Sequence, residues 1–174
     1  AELGDDYFLR ERPSEVAWHT SEILLHGHET PLVQMREHAE LNQDAVQIFV
    51  YTHDMANLFA ATVAVFDQMD LNVQDARIIT AKTGFSLDTY IVLDRHGTLL
   101  TDQSRRDEVT ARLKYVLSQP NKAQNLTQRR IPRQLRHFNV PSEVNIKLDV
   151  IHQYNVVEVI SLDRPGLLAQ IGAL

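Results

Sequence analysis

The sequence repeats itself at a spacing of 109 residues. At that offset Ile48 aligns with Val157, Val50 with Val159, Asp54 with Asp163, Leu58 with Leu167 and Ala60 with Ala169. Self-similarity of this kind means two copies of one supersecondary unit. The unit can be read in the first copy. Val46, Ile48 and Val50 alternate as a strand, and Asp54 is placed to cap a helix carrying Leu58, Thr62, Val65 and Met69 at helical spacing. Asn72–Thr80 reads as a second strand with Ala76 and Ile78 on one face, and Leu87–Leu93, rich in β-branched and aromatic residues, as a third. Ser104 to Asp107 resembles a capping box with Asp in place of Glu, and it opens a helix through Val109, Leu113, Val116 and Leu117 that stops before Pro120. In Phe138–Leu148 the residues Val144, Ile146 and Leu148 alternate with polar ones. Pro141 cannot donate to a ladder, so this strand is expected to be an edge strand or a bulged one.

The order β-α-β-β-α-β predicts an α+β fold, a ferredoxin-like sandwich on an antiparallel sheet. Three segments follow. Residues 1–44 are a helical segment, capped by Ser14 and stopped at Gly27, and then a polar linker over 28–44. Residues 45–150 are the first unit, with a long polar connection at 118–136. Residues 151–174 hold the first strand and the start of the first helix of a second unit. The last residues, Gln170 to Leu174, read as the interior of something longer.

Composition excludes several classes of function. There is no cysteine, which removes disulfide scaffolds, thiolate zinc sites and thiol catalysis. A net charge of −6 disfavours general binding to nucleic acid or to anionic membranes, since both need a basic footprint. The longest apolar stretch, Leu58–Phe66, is interrupted by Thr62 and falls far short of the ~18 residues a membrane helix needs. With no secretory signal visible, the chain reads as cytoplasmic.

The string that carries chemistry is Asp163-Arg164-Pro165-Gly166-Leu167, at the junction of a strand and a helix. Asp is suited to capping the helix, Pro to its first turn and Gly to close backbone approach, and the N–H groups of such a start can meet a carboxylate. The first copy departs from this pattern: Ala56 stands at the Pro position and Asn57 at the Gly position, with Asp54 kept. Elsewhere, His26-Gly27-His28 with Glu29 and the doublet His53-Asp54 suggest metal ligands only superficially, and Arg129, Arg130, Arg133 and Arg136 read as an exposed basic run.

A strand ending in D-R-P-G-L-L-A within a βαββαβ repeat resembles the ACT domain, a small regulatory fold that binds amino acids. The wider pattern resembles one family of ACT-bearing enzymes, the bifunctional uridylyltransferase/uridylyl-removing enzymes of the PII nitrogen-regulatory protein. Asp5 to Arg10, Ala17 to Thr20 and Pro31 to Val33 look like the segment between a metal-dependent HD phosphohydrolase domain and two tandem ACT domains. Ile48 to Asp54, Leu58 to Ala60, Asn72 to Ile78, Asp88 to Leu93, Arg136 to Phe138 and Glu143-Val144 continue the likeness. It implies a parent enzyme that uses UTP and magnesium to modify PII, removes the group in a second domain, and senses glutamine through the ACT pair. Neither catalytic signature occurs here, so the resemblance implies no cofactor in this chain. It points to an effector site at Asp163, Arg164, Pro165, Gly166 and Leu167, with Asp54 and Asn57 as the first-copy counterpart. Pairing of sheet edges between chains is a route to a homo-oligomer.

Two other readings share the topology. One is the ACT tail of a different amino-acid-controlled enzyme. The other is an RNA-recognition module, whose aromatic strand Lys82-Thr83-Gly84-Phe85 imitates; Leu87 and Asp88 then fail to continue the stacking face.

Overall fold

A computed structural model describes residues 5–38, 45–94, 102–119, 141–151 and 154–173. The elements are α1 (Asp5–Arg10), α2 (Pro13–His26), β1 (Leu32–Glu37), β2 (Ala45–His53), α3 (Leu58–Gln68), β3 (Leu71–Thr80), β4 (Phe85–Asp94), α4 (Gln103–Leu117), β5 (Glu143–Asp149), β6 (Tyr154–Ile160) and α5 (Leu167–Gly172). The fold is α+β. Its four-stranded sheet has the order β1-β2-β4-β3 with every pair antiparallel, as a ferredoxin-like ACT fold requires.

Alternation along the strands divides the sheet into two faces. Val33, Met35, Val46, Ile48, Val50, Tyr90 and Val92 face α3 and α4 and build the main core with Val65, Phe66, Val109 and Leu113. Leu32, Phe49, Tyr51 and Leu87 form a second core on the opposite face, covered by Tyr7 of α1 and by Val16, Trp18 and Ile23 of α2. The molecule is thus three layers deep, with the sheet in the middle. A bulge between Val73 and Asp75 shifts the register of β3 so that Val73 and Ala76 both pack on the main core. Ile78, read as Ala76's partner on that face, is 41% exposed because β3 is the sheet edge.

The fourth strand differs from the sequence expectation. It is β1, from the stretch read as linker, with Leu32 opposite Tyr51 and Glu37 opposite Val46. The strand expected over Phe138–Leu148 in this sheet is found as Glu143–Asp149, and it instead pairs with β6 in a separate two-stranded ribbon. The ribbon repeats β1–β2: Val144 lies opposite Val159 as Val33 lies opposite Val50. The repeating unit therefore begins one strand earlier than its hydrophobic pattern suggests, in the order β-β-α. The two ribbons share a skeleton and one face only. Val144, Ile146, Val157 and Val159 match the core face of β1–β2, whereas Glu158 stands where Phe49 stands and pairs with Lys147 and Asn145.

Helix starts also differ. Ser14 lies inside α2, whose cap position is Arg12 with Pro13 at the first turn. In α4 the cap is Asp102, which accepts from the N–H groups of Ser104 and Arg105. Gly27 ends α2 with a positive φ of 81°, its N–H bonding the Ile23 carbonyl. The His96-Gly97 turn, most of the 118–136 connection with its arginines, and Phe138 lie outside the described residues. No helix among the described residues is long and apolar enough to cross a membrane.

Candidate ligand site

The two strand-to-helix loops have the same backbone. Leu58 N–H bonds the Met55 carbonyl at 3.1 Å, and Leu167 N–H bonds the Arg164 carbonyl at 3.1 Å. In the first helical turn the Ala61 N–H bonds the Asn57 carbonyl at 2.9 Å and the Gln170 N–H bonds the Gly166 carbonyl at 3.0 Å. Asn57 and Gly166, at the third position of each turn, are left-handed with φ of 62° and 78°. A four-residue turn with positive φ at its third position is the type II pattern, which favours Pro second and Gly or Asn third. Pro165-Gly166 satisfies that rule outright, and Ala56-Asn57 satisfies its essential half. Asn57 is therefore the conformational equivalent of the glycine rather than a loss of it.

The capping role read for Asp54 and Asp163 is not what the geometry shows. Both helices begin four residues later, at Leu58 and Leu167, and neither receives a side-chain capping bond. The turn imposes this, because it must close before the helix can start. Pro165 accordingly lies in the turn and not in the helix.

The second loop lines a cavity of about 570 Å³. One wall is Asp163, Arg164, Pro165, Gly166 and Leu167; the facing wall comes from the first copy, as Val63 and Asp67 of α3 and Leu71, Asn72 and Val73 of β3. The walls meet because α5 packs closely on α3. A Cβ added at Gly172 would lie 2.4 Å from Phe59 Cδ1, a contact only glycine permits. Asp163 is exposed, and Arg164 reaches along the loop to Gln170 Oε1 at 3.1 Å. Carboxylates, an amide, a guanidinium and aliphatic side chains thus surround a space large enough for a small zwitterion with water.

All five second-loop residues named from the sequence converge on this cavity, whereas Asp54 and Asn57 do not line it. Asp67 and Asn72 were not legible as site residues. The available signal was Asp67 itself, the single charged residue of α3 at the end of an otherwise apolar helix.

Beneath the first loop lies a buried carboxylate. Asp88 is fully buried on the α3–α4 side of β4, accepting from Ser86 Oγ at 2.5 Å and from the Tyr90 hydroxyl at 3.2 Å. Burial pushes its carboxyl up to about 6, against the pull of those two bonds, and the nearby charge of Asp54 adds to the rise.

The other sequence candidates have structural partners. His26 Nε2 contacts Thr30 at 3.1 Å, His28 Nδ1 pairs with the Tyr51 hydroxyl at 2.8 Å, and the exposed His53 ring lies 4.0 Å from that of Phe85. Among the described residues no group of three or more His, Asp or Glu could hold a metal ion. The sheet face that an RNA-recognition module would present is occupied here by α1 and α2, with Trp18 and His19 against Phe49.

Fold and sequence together define a ferredoxin-like ACT unit followed by the β-β-α start of a repeat. Comparison with known proteins narrows this. A family model described as "Uridylyltransferase GlnD fifth domain" matches residues 1–22. The chain is 58% identical over 174 residues to a bifunctional uridylyltransferase/uridylyl-removing enzyme of Acinetobacter baumannii strain ATCC 17978, covering 99% of this chain and 20% of that enzyme. The enzymes of that name from Acinetobacter baylyi and from Psychrobacter sp. strain PRwf-1 are 59% and 51% identical, over 99% and 98% of this chain and 20% of each enzyme. The chain belongs to this family and spans about one fifth of the length of the relatives it matches.

Proposed function

We propose that the chain is the amino-acid-sensing region of a bifunctional uridylyltransferase/uridylyl-removing enzyme that acts on the PII nitrogen-regulatory protein, with glutamine as effector. Modification of PII with UTP and magnesium, and its reversal, would be carried out in the cytoplasm by parts of the enzyme outside these 174 residues. One observation carries the reading: the Asp163–Leu167 turn faces Asp67 and Asn72 across a cavity of amino-acid size. In it the ligand ammonium would be met by Asp163 or Asp67 and a neutral side-chain amide by Asn72. The relatives' name favours this reading over the ACT tail of an unrelated biosynthetic enzyme.

The test is Gly166→Asn in the full-length enzyme. Asn keeps the left-handed turn, as Asn57 does at the equivalent position, yet puts a side chain at the cavity wall. The expected result is a loss of glutamine affinity by at least about tenfold, equivalent to ~1.4 kcal/mol, with a parallel loss of glutamine-stimulated uridylyl removal. Unchanged affinity in a folded variant would move the sensor elsewhere.

A further inference from the structure

The match to the fifth-domain model stops at residue 22, within α2. Residues 1–22 match that model, yet among the described residues α1 and the larger part of α2 fall within the match and close the second face of the sheet. Within it Tyr7 is 1% exposed, Glu11 6% and His19 2%. His19 is held from every side. The Tyr7 hydroxyl pairs with its Nδ1 at 2.9 Å, and its ring stacks on Phe49 of β2 at 4.1 Å. Its Nε2 faces Thr89 Oγ1 of β4 at 3.4 Å and Glu15 Oε2 at 3.9 Å. Glu15 spreads the grip across two strands, accepting from Arg36 of β1 and, at 2.5 Å, from Gln47 of β2, while Arg36 also lies 3.8 Å over the Trp18 ring. Glu11 reaches the fourth strand through Arg77 of β3 at 3.3 Å. All four strands are thus tied to α1–α2, with Glu11 and His19 buried and the two arginines reaching them from the rim, Arg77 half exposed. β2, the strand under His19, runs directly into the first strand-to-helix loop, and α3 beyond it forms a wall of the cavity.

We propose that α1–α2 is the output surface of this region. Its partner is the rest of the fifth domain, and the state of the effector cavity reaches that domain as movement of a rigid joint, carried by the buried His19–Glu15 interface and not by the chain connecting α2 to β1. The inference rests on the sensing function proposed above. Conformational coupling of this kind needs packed elements between the two sites, and here these are α3, the sheet and α2.

The experiment uses the full-length enzyme in three forms. His19→Ala and Glu15→Ala open the interface, the second being the milder change should the first misfold. Three glycines inserted after Gly27, where a Cβ would meet no other atom within 4 Å, lengthen the connection and leave the interface intact. Glutamine affinity is read by calorimetry, glutamine's effect on uridylyl removal by rate, and protection of the Tyr7–Ile23 amides by hydrogen exchange. The interface variants should bind glutamine normally yet lose at least about fivefold of its effect on rate, and exchange over Tyr7–Ile23 should quicken. The insertion should behave as wild type in all three. Interface variants that respond fully, or an insertion that abolishes the response, would overturn the proposal. Should wild type bind no glutamine, the sensing function fails, and exchange alone decides the joint: Tyr7–Ile23 amides unprotected in the wild-type enzyme would sink it.

Discussion

Replacing Asp88 with Asn should make the protein more stable at neutral pH and no more stable in acid. The buried carboxyl is raised from an ordinary 3.8 to about 6, so the folded state holds its proton more tightly than the unfolded chain does. Stability from this group is complete below the unfolded value, falls as pH rises from about 4, and is fully lost above about 6. At about 1.4 kcal/mol per pKa unit, the difference amounts to about 3 kcal/mol at pH 7. Asn is nearly isosteric. Its Oδ1 can still accept from Ser86, and its Nδ2 can donate to the Tyr90 oxygen, so no buried group is orphaned. Some of the gain is lost with the charge-assisted bond to Ser86, leaving about 1–2 kcal/mol. Two other buried groups, on the opposite face of the sheet, are also shifted: burial raises Glu11 against the pull of Arg77, and burial lowers His19 to about 4. The His19 contribution has the opposite sign, being lost as pH falls from about 6.5 toward 4. Both are present in wild type and variant, so the difference between urea unfolding curves isolates Asp88. A gain that is equal at pH 4 and pH 7, or a loss at pH 7, would refute the reasoning.

Asn57→Ala should cost about 1 kcal/mol, because a left-handed residue loses the one side chain besides glycine that tolerates it well, while Asn57→Gly should be neutral or stabilising; urea midpoints measure both. Gly172→Ala should cost about 1–3 kcal/mol in the docking of α5, since the new methyl meets Phe59 at 2.4 Å. Hydrogen exchange should show Leu167–Gly172 opening while β2 and β4 stay protected, and unchanged exchange in α5 would count against close packing there.

The elements with strong periodicity were legible in the sequence: β2 and β4 with their runs of β-branched and aromatic residues, α3 and α4 with helical spacing. β1 was not, though Val33 and Met35 alternate with Gln34 and Arg36, because six residues among polar neighbours resemble a linker. The pairing of β5 was misread for a related reason. Alternation shows that a strand has two faces, but it does not name the neighbour, and β5 and β1 carry the same pattern. The loop chemistry was legible in kind and misplaced in position, since Asp before Pro-Gly signals a cap and a turn equally well. Asp67 and Asn72 lie about a hundred residues from the loop they face. Only the docking of α5 on α3 brings them there, and no local pattern encodes that contact.

The exchange of Phe49 for Glu158 at matching positions of the two ribbons makes the copies non-interchangeable despite their common skeleton. A chimera with the β5–β6 sequence grafted into β1–β2 would bring a carboxylate beneath Trp18 and His19 with no cation of its own. The reverse graft would set a phenyl ring beside Lys147 and Asn145, which now pair with Glu158. Duplication supplied two equal frames, and the residue at this one position decides which of them the α1–α2 lid can close.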